Sequence, residues 1–397
     1  MRIVIHDYAG HPFQVQLSRY LAGLGHDVLH IYSSSISGTP QGALTRQPGD
    51  PAGFEAHGIS LGYTIDKTKF FQVYFQDDVK HAALAVEQVE RFQPDVVMAA
   101  NTPLRINAAL QEHCRRHNAK FVFWVQDLFG EAAKRILAGK WGGMGSFAGA
   151  YMQAFEHRLL KKSDAIVLIA EAFRGHIPKV SCPVEVIENW APLEEMPLRD
   201  RVNPWGAKHG LAETRNFIYS GTLGMKHNPD LLVGVAKAFQ EVSDVRMVVI
   251  SQGKGMEYLT AAKAEMGLGN LVLLPFQDFA DLPDVMATAD VLVAILEPDA
   301  GVFSVPSKVL SYLCAGRGIL LAVPPENLAA RIVAENGAGM VVPPTDVPAF
   351  VAAAREMLAG DLSGYGSAAR AYAERTFDID AIAARFLDVF SRAGVRV

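Results

Sequence analysis

Lysines set beside small-residue turns are built to hold anionic oxygen, and this chain offers two such places. The first is Phe217-Ile-Tyr-Ser-Gly-Thr-Leu-Gly-Met-Lys226, where a short apolar strand runs into small residues, a lysine and then a helix. Gly221 and Thr222 let backbone N–H groups approach a ligand closely, and Lys226 adds a point charge. Asn228 can cap the helix, Pro229 suits its first turn and Asp230 its dipole. The second place is Pro306-Ser-Lys308, where Lys308 starts a helix that Ser304 or Ser307 can cap. Phosphate held by Gly221, Thr222 and Lys226 from one side and by Ser307 and Lys308 from the other is the reading adopted. The bland alternatives are a glycine needed only for the bend and a solvated surface lysine at 308.

Other residues have the chemistry for neighbouring tasks. The turn Ser251-Gln-Gly-Lys-Gly255 follows a strand, and Gly253 can let it approach a ribose or base, although the full dinucleotide fingerprint is missing. Pro275-Phe276-Gln277 follows the next strand: Phe276 can stack on a base and Gln277 stands beside it, while Phe276 fits a core equally well. Near the N-terminus, Gly10 and His11 lie in the first strand-to-helix loop. Asp127 follows the apolar run Phe121–Val125, where a carboxylate can orient or deprotonate a hydroxyl, or simply cap a helix. Gln126 beside it is no base near neutral pH. His11 fits a plain loop residue as well, and Asp77-Asp78 reads as a solvated patch. No metal-ligand cluster stands out.

The elements that must position these groups alternate. Apolar runs at Ile3–Ile5, Val28–Ile31, Val96–Ala99, Phe121–Val125, Ala165–Ile169 and Val184–Ile187 are separated by helical stripes such as Phe13, Leu17, Leu21 and Leu24 before Gly25. Residues 192–206, with Pro192, Pro197 and Pro204, read as a linker. The pattern restarts at Phe217–Tyr219, Met247–Ile250, Leu271–Leu274, Val291–Leu296, Ile319–Ala322 and Met340–Val342. Ile379, Ile382, Phe386, Val389 and Phe390 mark a last amphipathic helix. This predicts an α/β chain of two tandem Rossmann-like, doubly wound parallel-sheet domains with a cleft at the carboxyl ends of their strands. The expected boundaries are 1–195, 205–375 and a C-terminal helix at 376–397.

Composition agrees. A chain of 397 residues exceeds one core, and 50% hydrophobic with 20% charged residues fits well-buried domains. A formal charge of −5 argues against sequence-independent nucleic-acid binding. Three scattered cysteines give neither a disulfide framework nor a zinc spacing. The opening Met1-Arg-Ile-Val-Ile-His-Asp7 turns polar too early for a signal peptide, and no apolar run reaches bilayer length, so a cytoplasmic protein is expected. Two stretches have the cations and aromatics for an anionic membrane surface: Lys67-Thr-Lys-Phe-Phe71 with Tyr74 and Phe75, and Lys134–Met144 with Arg135, Lys140 and Trp141.

Gly10-His11-Pro12, Trp124-Val-Gln-Asp-Leu128, Glu156-His-Arg158 before Ser163–Leu168, Val186-Ile-Glu-Asn-Trp190, the 217–226 loop, and Pro306-Ser-Lys308 leading to Tyr312–Arg317 stand in an informative order. Together they resemble the family-four retaining glycosyltransferases of the GT-B fold, over essentially the whole chain. The pattern is most similar to the exopolysaccharide and O-antigen branch, of colanic-acid or fucosamine-transferase type. The resemblance implies that the C-terminal domain holds a nucleotide sugar, that the N-terminal domain holds the acceptor, and that the last helix crosses back to the first domain. It implies a UDP-linked donor, an N-acetylated hexosamine or deoxyhexosamine, a lipid-linked or glycan acceptor at the cytoplasmic face of the inner membrane, and no metal or other cofactor. Asp127, Lys226 and Lys308 become the candidate catalytic residues. Gly10, His11, Glu297 and Asp299 become candidates for the donor sugar or acceptor.

One departure stands out. The family's Glu-x7-Glu pair falls on Phe303 and Ser311 here, with Glu297 and Asp299 out of register. Subfamilies with a Pro-Ser-Lys signature also lack the pair. The missing pair makes a non-catalytic sugar-nucleotide-binding partner one alternative to a transferase, and the shared GT-B layout makes a sugar-nucleotide epimerase another.

Overall fold

The structure is a computed structural model describing residues 1–36, 43–66, 69, 72–224, 227–296, 298 and 307–396, the side chains of 132 and 135–144 excepted. The chain divides into two compact units, Met1–Asn189 with Ile379–Val397, and Trp190–Asp378.

Unit 1 is built on a sheet of seven strands in the order β3-β2-β1-β4-β5-β6-β7. They are β1 (Arg2–Asp7), β2 (Asp27–Ser33), β3 (Phe54–Ile59), β4 (Val96–Ala100), β5 (Lys120–Val125), β6 (Ala165–Leu168) and β7 (Val184–Val186), and every pairing is parallel. Helices cover both faces, which is why β1, β4 and β5 are buried almost throughout and β4 and β5 are almost wholly apolar. The sequence pattern misses β3, Phe-Glu-Ala-His-Gly-Ile, because an edge strand with one partner needs no apolar run. Leu24 also leaves its expected stripe: it follows the helix Pro12–Gly23 and is exposed, and Gly25 makes the left-handed turn at φ 91°.

The helical segment Phe129–Lys161 doubles back on itself. A straight helix would separate Gly130 from Gln153 by on the order of 35 Å. Instead, a Cβ added at Gly130 would lie 2.6 Å from the Gln153 Cα, and one at Gly149 would lie 2.4 Å from the Lys134 Cα. Glycine at both crossings lets the two arms approach backbone to backbone.

The last helix, Ile379–Arg392, belongs to unit 1. Its Phe386 ring meets Trp124 of β5 with centroids 4.7 Å apart, and Arg385 and Arg392 reach Glu185 of β7 at 2.9 and 3.0 Å.

Unit 2 repeats the plan with six parallel strands ordered β10-β9-β8-β11-β12-β13. They are β8 (Arg215–Ser220), β9 (Val245–Ile250), β10 (Leu271–Leu274), β11 (Val291–Ile295), β12 (Gly318–Ala322) and β13 (Gly339–Val342). Both sheets carry the doubly wound order, which reverses between β1 and β4 in the first and between β8 and β11 in the second. These are two Rossmann-like parallel-sheet domains with a C-terminal helix, the GT-B architecture. The expected linker is partly structured. Asn203 accepts from the Gly206 N–H at 2.9 Å to start the helix Pro204–Lys208, and Arg201 grips Asp290 at 2.8 Å, so this stretch packs as part of unit 2.

Candidate functional site

The register of unit 2 sets its carboxyl rim. Ser220 pairs with Ile250, and Ile250 with Leu274, so Gly221, Ser251 and Pro275 leave three adjacent strands at one level. Across the reversal point β8 pairs with β11 only through Phe217 and Ile218. The gap is closed by Tyr312, whose buried hydroxyl accepts from the Ser220 N–H at 3.1 Å and lies 3.2 and 3.3 Å from the Ser220 and Val293 carbonyls. Tyr312 thereby pins the helix Ser307–Ala315 at the crevice where doubly wound sheets take ligands.

Lys308, one turn earlier on that helix, lies directly over the end of β8. Its Nζ is 3.9 Å from the centre of the Tyr219 ring, and a Cβ added to Gly221 would come within 2.9 Å of it. Gly221 has φ 133°, which side-chain-bearing residues rarely adopt. Glycine is thus required here by the backbone, and a side chain in its place would push the lysine end aside. The residue is only partly exposed and its ammonium is enclosed, so burial pulls its pKa down to about 7. Among the described residues no carboxylate forms an ion pair with it. A cation stripped of water gains most from an anionic ligand that replaces its lost hydration.

The neighbouring loops are interlocked. The Tyr219 hydroxyl donates to the Thr222 carbonyl at 2.6 Å, leaving Thr222 exposed on the rim. The Gly255 N–H donates to the Leu223 carbonyl at 3.2 Å, and a Cβ on Gly255 would clash with that oxygen at 2.3 Å. Gly253, at φ 89° with nothing within 4 Å of its missing side chain, opens the start of the helix Lys254–Met266. Beside it the buried Ser251 hydroxyl has no hydrogen-bond partner among the described residues. Phe276 is 39% exposed after β10. Gln277 is already engaged, accepting from Trp205 Nε1 at 3.0 Å and donating to the Pro275 carbonyl at 2.7 Å. Ser307 is exposed at the helix start. Lys226, Glu297, Asp299, Phe303 and Ser304 lie outside the described residues. Asn228 does not cap the following helix: it adopts φ 44° and donates to the Pro344 carbonyl at 2.9 Å, while Pro229 occupies the cap position.

In unit 1 the loop after β1 is organised by Asp7, which sequence reasoning passed over. Its fully buried carboxylate accepts from the His11 and Ala9 N–H groups and meets His11 Nδ1 at 3.0 Å, while Gly10 takes φ 73°. Asp127 stands at the end of β5 within the electrostatic reach of His11. Burial raises its carboxyl pKa, and His11 opposes that shift. The helix-cap alternative for Asp127 fails, because Glu156 takes the Phe129 and Gly130 N–H groups, the latter at 3.1 Å. Gln126 is locked in a reciprocal amide pair with Asn189 at 2.6 and 3.0 Å.

Asp77 and Asp78 are not solvated: they are 0% and 3% exposed. Asp77 accepts from Tyr63 at 2.6 Å, and burial with the Asp77 charge pushes Asp78 up to about 7. They adjoin His81, whose Nε2 meets that of His6 at 3.0 Å. The turn from Val73 to Asp77 and the helix Asp78–Phe92 place all three side chains inward, and the spacing 77, 78, 81 along a helix was the available signal. Among the described residues no group of three or more His, Cys, Asp or Glu side chains is placed to hold a metal ion. Among them no helix is long and apolar enough to cross a membrane.

Residues 11–190 match the family of glycosyl transferase 4-like domains, and residues 214–360 match the glycosyl transferases group 1 family. With the doubly wound topology of both units, these matches make the chain a glycosyltransferase of the GT-B fold. Three solved structures show the same fold over nearly their full lengths. Sucrose-phosphate synthase from Thermosynechococcus elongatus is 15% identical with a TM-score of 0.73, covering 99% of this chain and 98% of its own. A glycosyltransferase from Rickettsia africae is 14% identical with a TM-score of 0.71, covering 100% and 99%. Anabaena HepE in complex with UDP-glucose is 14% identical with a TM-score of 0.69, covering 98% and 99%. No curated protein matches the sequence.

Proposed function

We propose that the protein transfers a sugar, with retention of anomeric configuration, from a UDP-linked donor to a lipid-linked or glycan acceptor during bacterial cell-surface polysaccharide synthesis. The observation that carries this reading is Lys308, a desolvated cation against Gly221 at the reversal point of unit 2. HepE, similar in fold, is described with UDP-glucose.

In this reading the donor diphosphate lies over Gly221 and Thr222, between Lys226 and the pair Ser307 and Lys308. The nucleoside extends along the rim past Gly253 to Phe276, with Gln277 contributing through its backbone, because its side chain is engaged. The anomeric C–O bond to the diphosphate breaks as the acceptor oxygen bonds to the same carbon, and Lys308 offsets the charge gathering on the departing phosphate. The acceptor proton leaves to that phosphate or to Asp127, whose burial raises its pKa and makes the carboxylate a stronger proton acceptor. His11 and Gly10 position the acceptor, and Glu297 and Asp299 remain candidates for the sugar hydroxyls. An N-acetylated hexosamine or deoxyhexosamine is the proposed sugar, and a cytoplasmic, peripherally membrane-bound enzyme the proposed setting.

The test is incubation of the full chain with a panel of UDP- and GDP-sugars, following nucleotide release with and without membrane lipid extract. Release from a UDP-sugar that the extract accelerates is expected. Interconversion of UDP-sugars without acceptor indicates an epimerase, and tight binding without turnover indicates a binding partner. Neither binding nor release across the panel overturns the proposal.

A further inference from the structure

Away from the carboxyl rim, two cavities of unit 1 lie side by side, with Ala108 and Phe155 lining both, and are treated together as one groove. The first, about 580 Å³, lies between the helix Leu104–Arg116, the returning arm of the doubled-back helix and the start of β5. Four cations line it, Arg115, Lys120, Arg158 and Lys162, against two carboxylates, Glu112 and Asp164. Both carboxylates are occupied: Glu112 by Arg115 and Arg116 at 2.7 and 2.8 Å, and Asp164 by Lys120 at 3.2 Å. Arg158 and Lys162, both exposed, are left as the surplus positive charge.

The second cavity, about 470 Å³, runs between the helices Asp78–Phe92 and Leu104–Arg116 and is lined mainly by apolar side chains. Its floor is Ala82, Ala83, Val86 and Ala109, and among the described residues the only charged one lining it is Arg105, stacked on Tyr74 at 4.5 Å. Its mouth exposes apolar surface: Val79 is 45% and Tyr151 60% exposed, and Phe147, one helical turn from Tyr151, is 79% exposed. An exposed apolar trough of ligand-cavity size that leads into a cationic pocket matches neither a free sugar nor a free nucleotide. It matches a molecule with an anionic head and a hydrocarbon tail. The groove runs along the helix Leu104–Arg116 for on the order of 15 Å, the rise of about ten helical residues.

The geometry points to this groove as a docking site for an anionic phospholipid of a bilayer surface, with the phosphate beside Arg158 and Lys162 and an acyl chain along Ala83 and Val86. The site concerns attachment and not the transfer reaction, so its test is independent of any donor or acceptor.

The full chain is sedimented with vesicles of equal parts phosphatidylglycerol and phosphatidylcholine, and with vesicles of phosphatidylcholine alone, in about 0.1 M salt. Binding to the first only is expected. Each basic residue at an anionic surface contributes about fivefold, so R158Q with K162Q lowers partitioning roughly 30-fold. Ala83→Asp, at an exposed position on the groove floor, lowers it at least tenfold with an unchanged melting curve. No binding to anionic vesicles overturns the assignment. So does full binding by A83D, which would reduce the site to a surface charge effect. A melting shift caused by inorganic phosphate and lost in R158Q/K162Q, without vesicle binding, overturns it in favour of a free-anion site.

Discussion

Lys308 links nucleotide binding to pH in a way that can be worked out before any measurement. Burial lowers its pKa to about 7, so free protein at pH 8 holds it mostly neutral. A diphosphate beside the ammonium favours the charged form and draws the pKa back towards the ordinary lysine range. Binding at pH 8 therefore takes up about 0.9 proton, and at pH 6 about 0.1. Between pH 7 and 9 affinity for UDP falls by up to about tenfold per unit, and below 7 this contribution flattens. The terminal phosphate of UDP titrates near pH 6 and is about nine-tenths ionised at pH 7, so above 7 it adds little to the change. Calorimetry of UDP binding in two buffers of different ionisation enthalpy reads the proton uptake directly. In Lys308→Met the uptake disappears and affinity drops roughly tenfold to a hundredfold, the worth of a charge-assisted hydrogen bond. Stability moves the other way. The lysine binds fewer protons folded than unfolded between pH 7 and about 10.5, so wild-type stability rises with pH across that window. Measured against Lys308→Met, wild type gains up to about 3 kcal/mol between pH 7 and 9.5. An affinity flat from pH 7 to 9, or proton uptake unchanged in the methionine variant, refutes the reasoning.

Other consequences are as concrete. Gly221→Ala forces a side chain onto φ 133° and into Lys308, so it is expected to cost about 1–3 kcal/mol in denaturant melts and to weaken UDP binding; unchanged affinity removes Gly221 from the site. Phe276→Ala leaves stability within about 0.5 kcal/mol, since Phe276 is exposed, and lowers UDP affinity by roughly fivefold to a hundredfold if it carries the base, read by titration against uridine as well. Phe386→Ala empties a fully buried place against Trp124 and lowers the stability of unit 1 by about 3–5 kcal/mol, followed by tryptophan fluorescence, while unit 2 melts as before.

The sequence by itself determined most of the strands and the two-unit repeat, because a parallel strand buried on both faces must be a short apolar run and Gly, Pro and Asn must punctuate the turns. It determined the Gly221 and Lys308 pairing in outline, since a strand end, a bend glycine and a helix-start lysine are local features. It could not reveal β3, whose edge position relieves it of an apolar pattern; the doubling back within Phe129–Lys161 was signalled only by the weak helix formers Gly139, Gly142, Gly143 and Gly145. Nor could it reveal what depends on contacts between distant residues. Asp7 gathers the His11 loop, Glu156 takes the helix start that was the alternative place for Asp127, and Asp77 and Asp78 turn inward, all because burial is decided by what packs across the sheet. Only the tertiary structure shut Lys308 away from water: its neighbours Tyr219 and Gly221 lie almost ninety residues earlier in the chain, and desolvation belongs to the enclosure rather than to the residue.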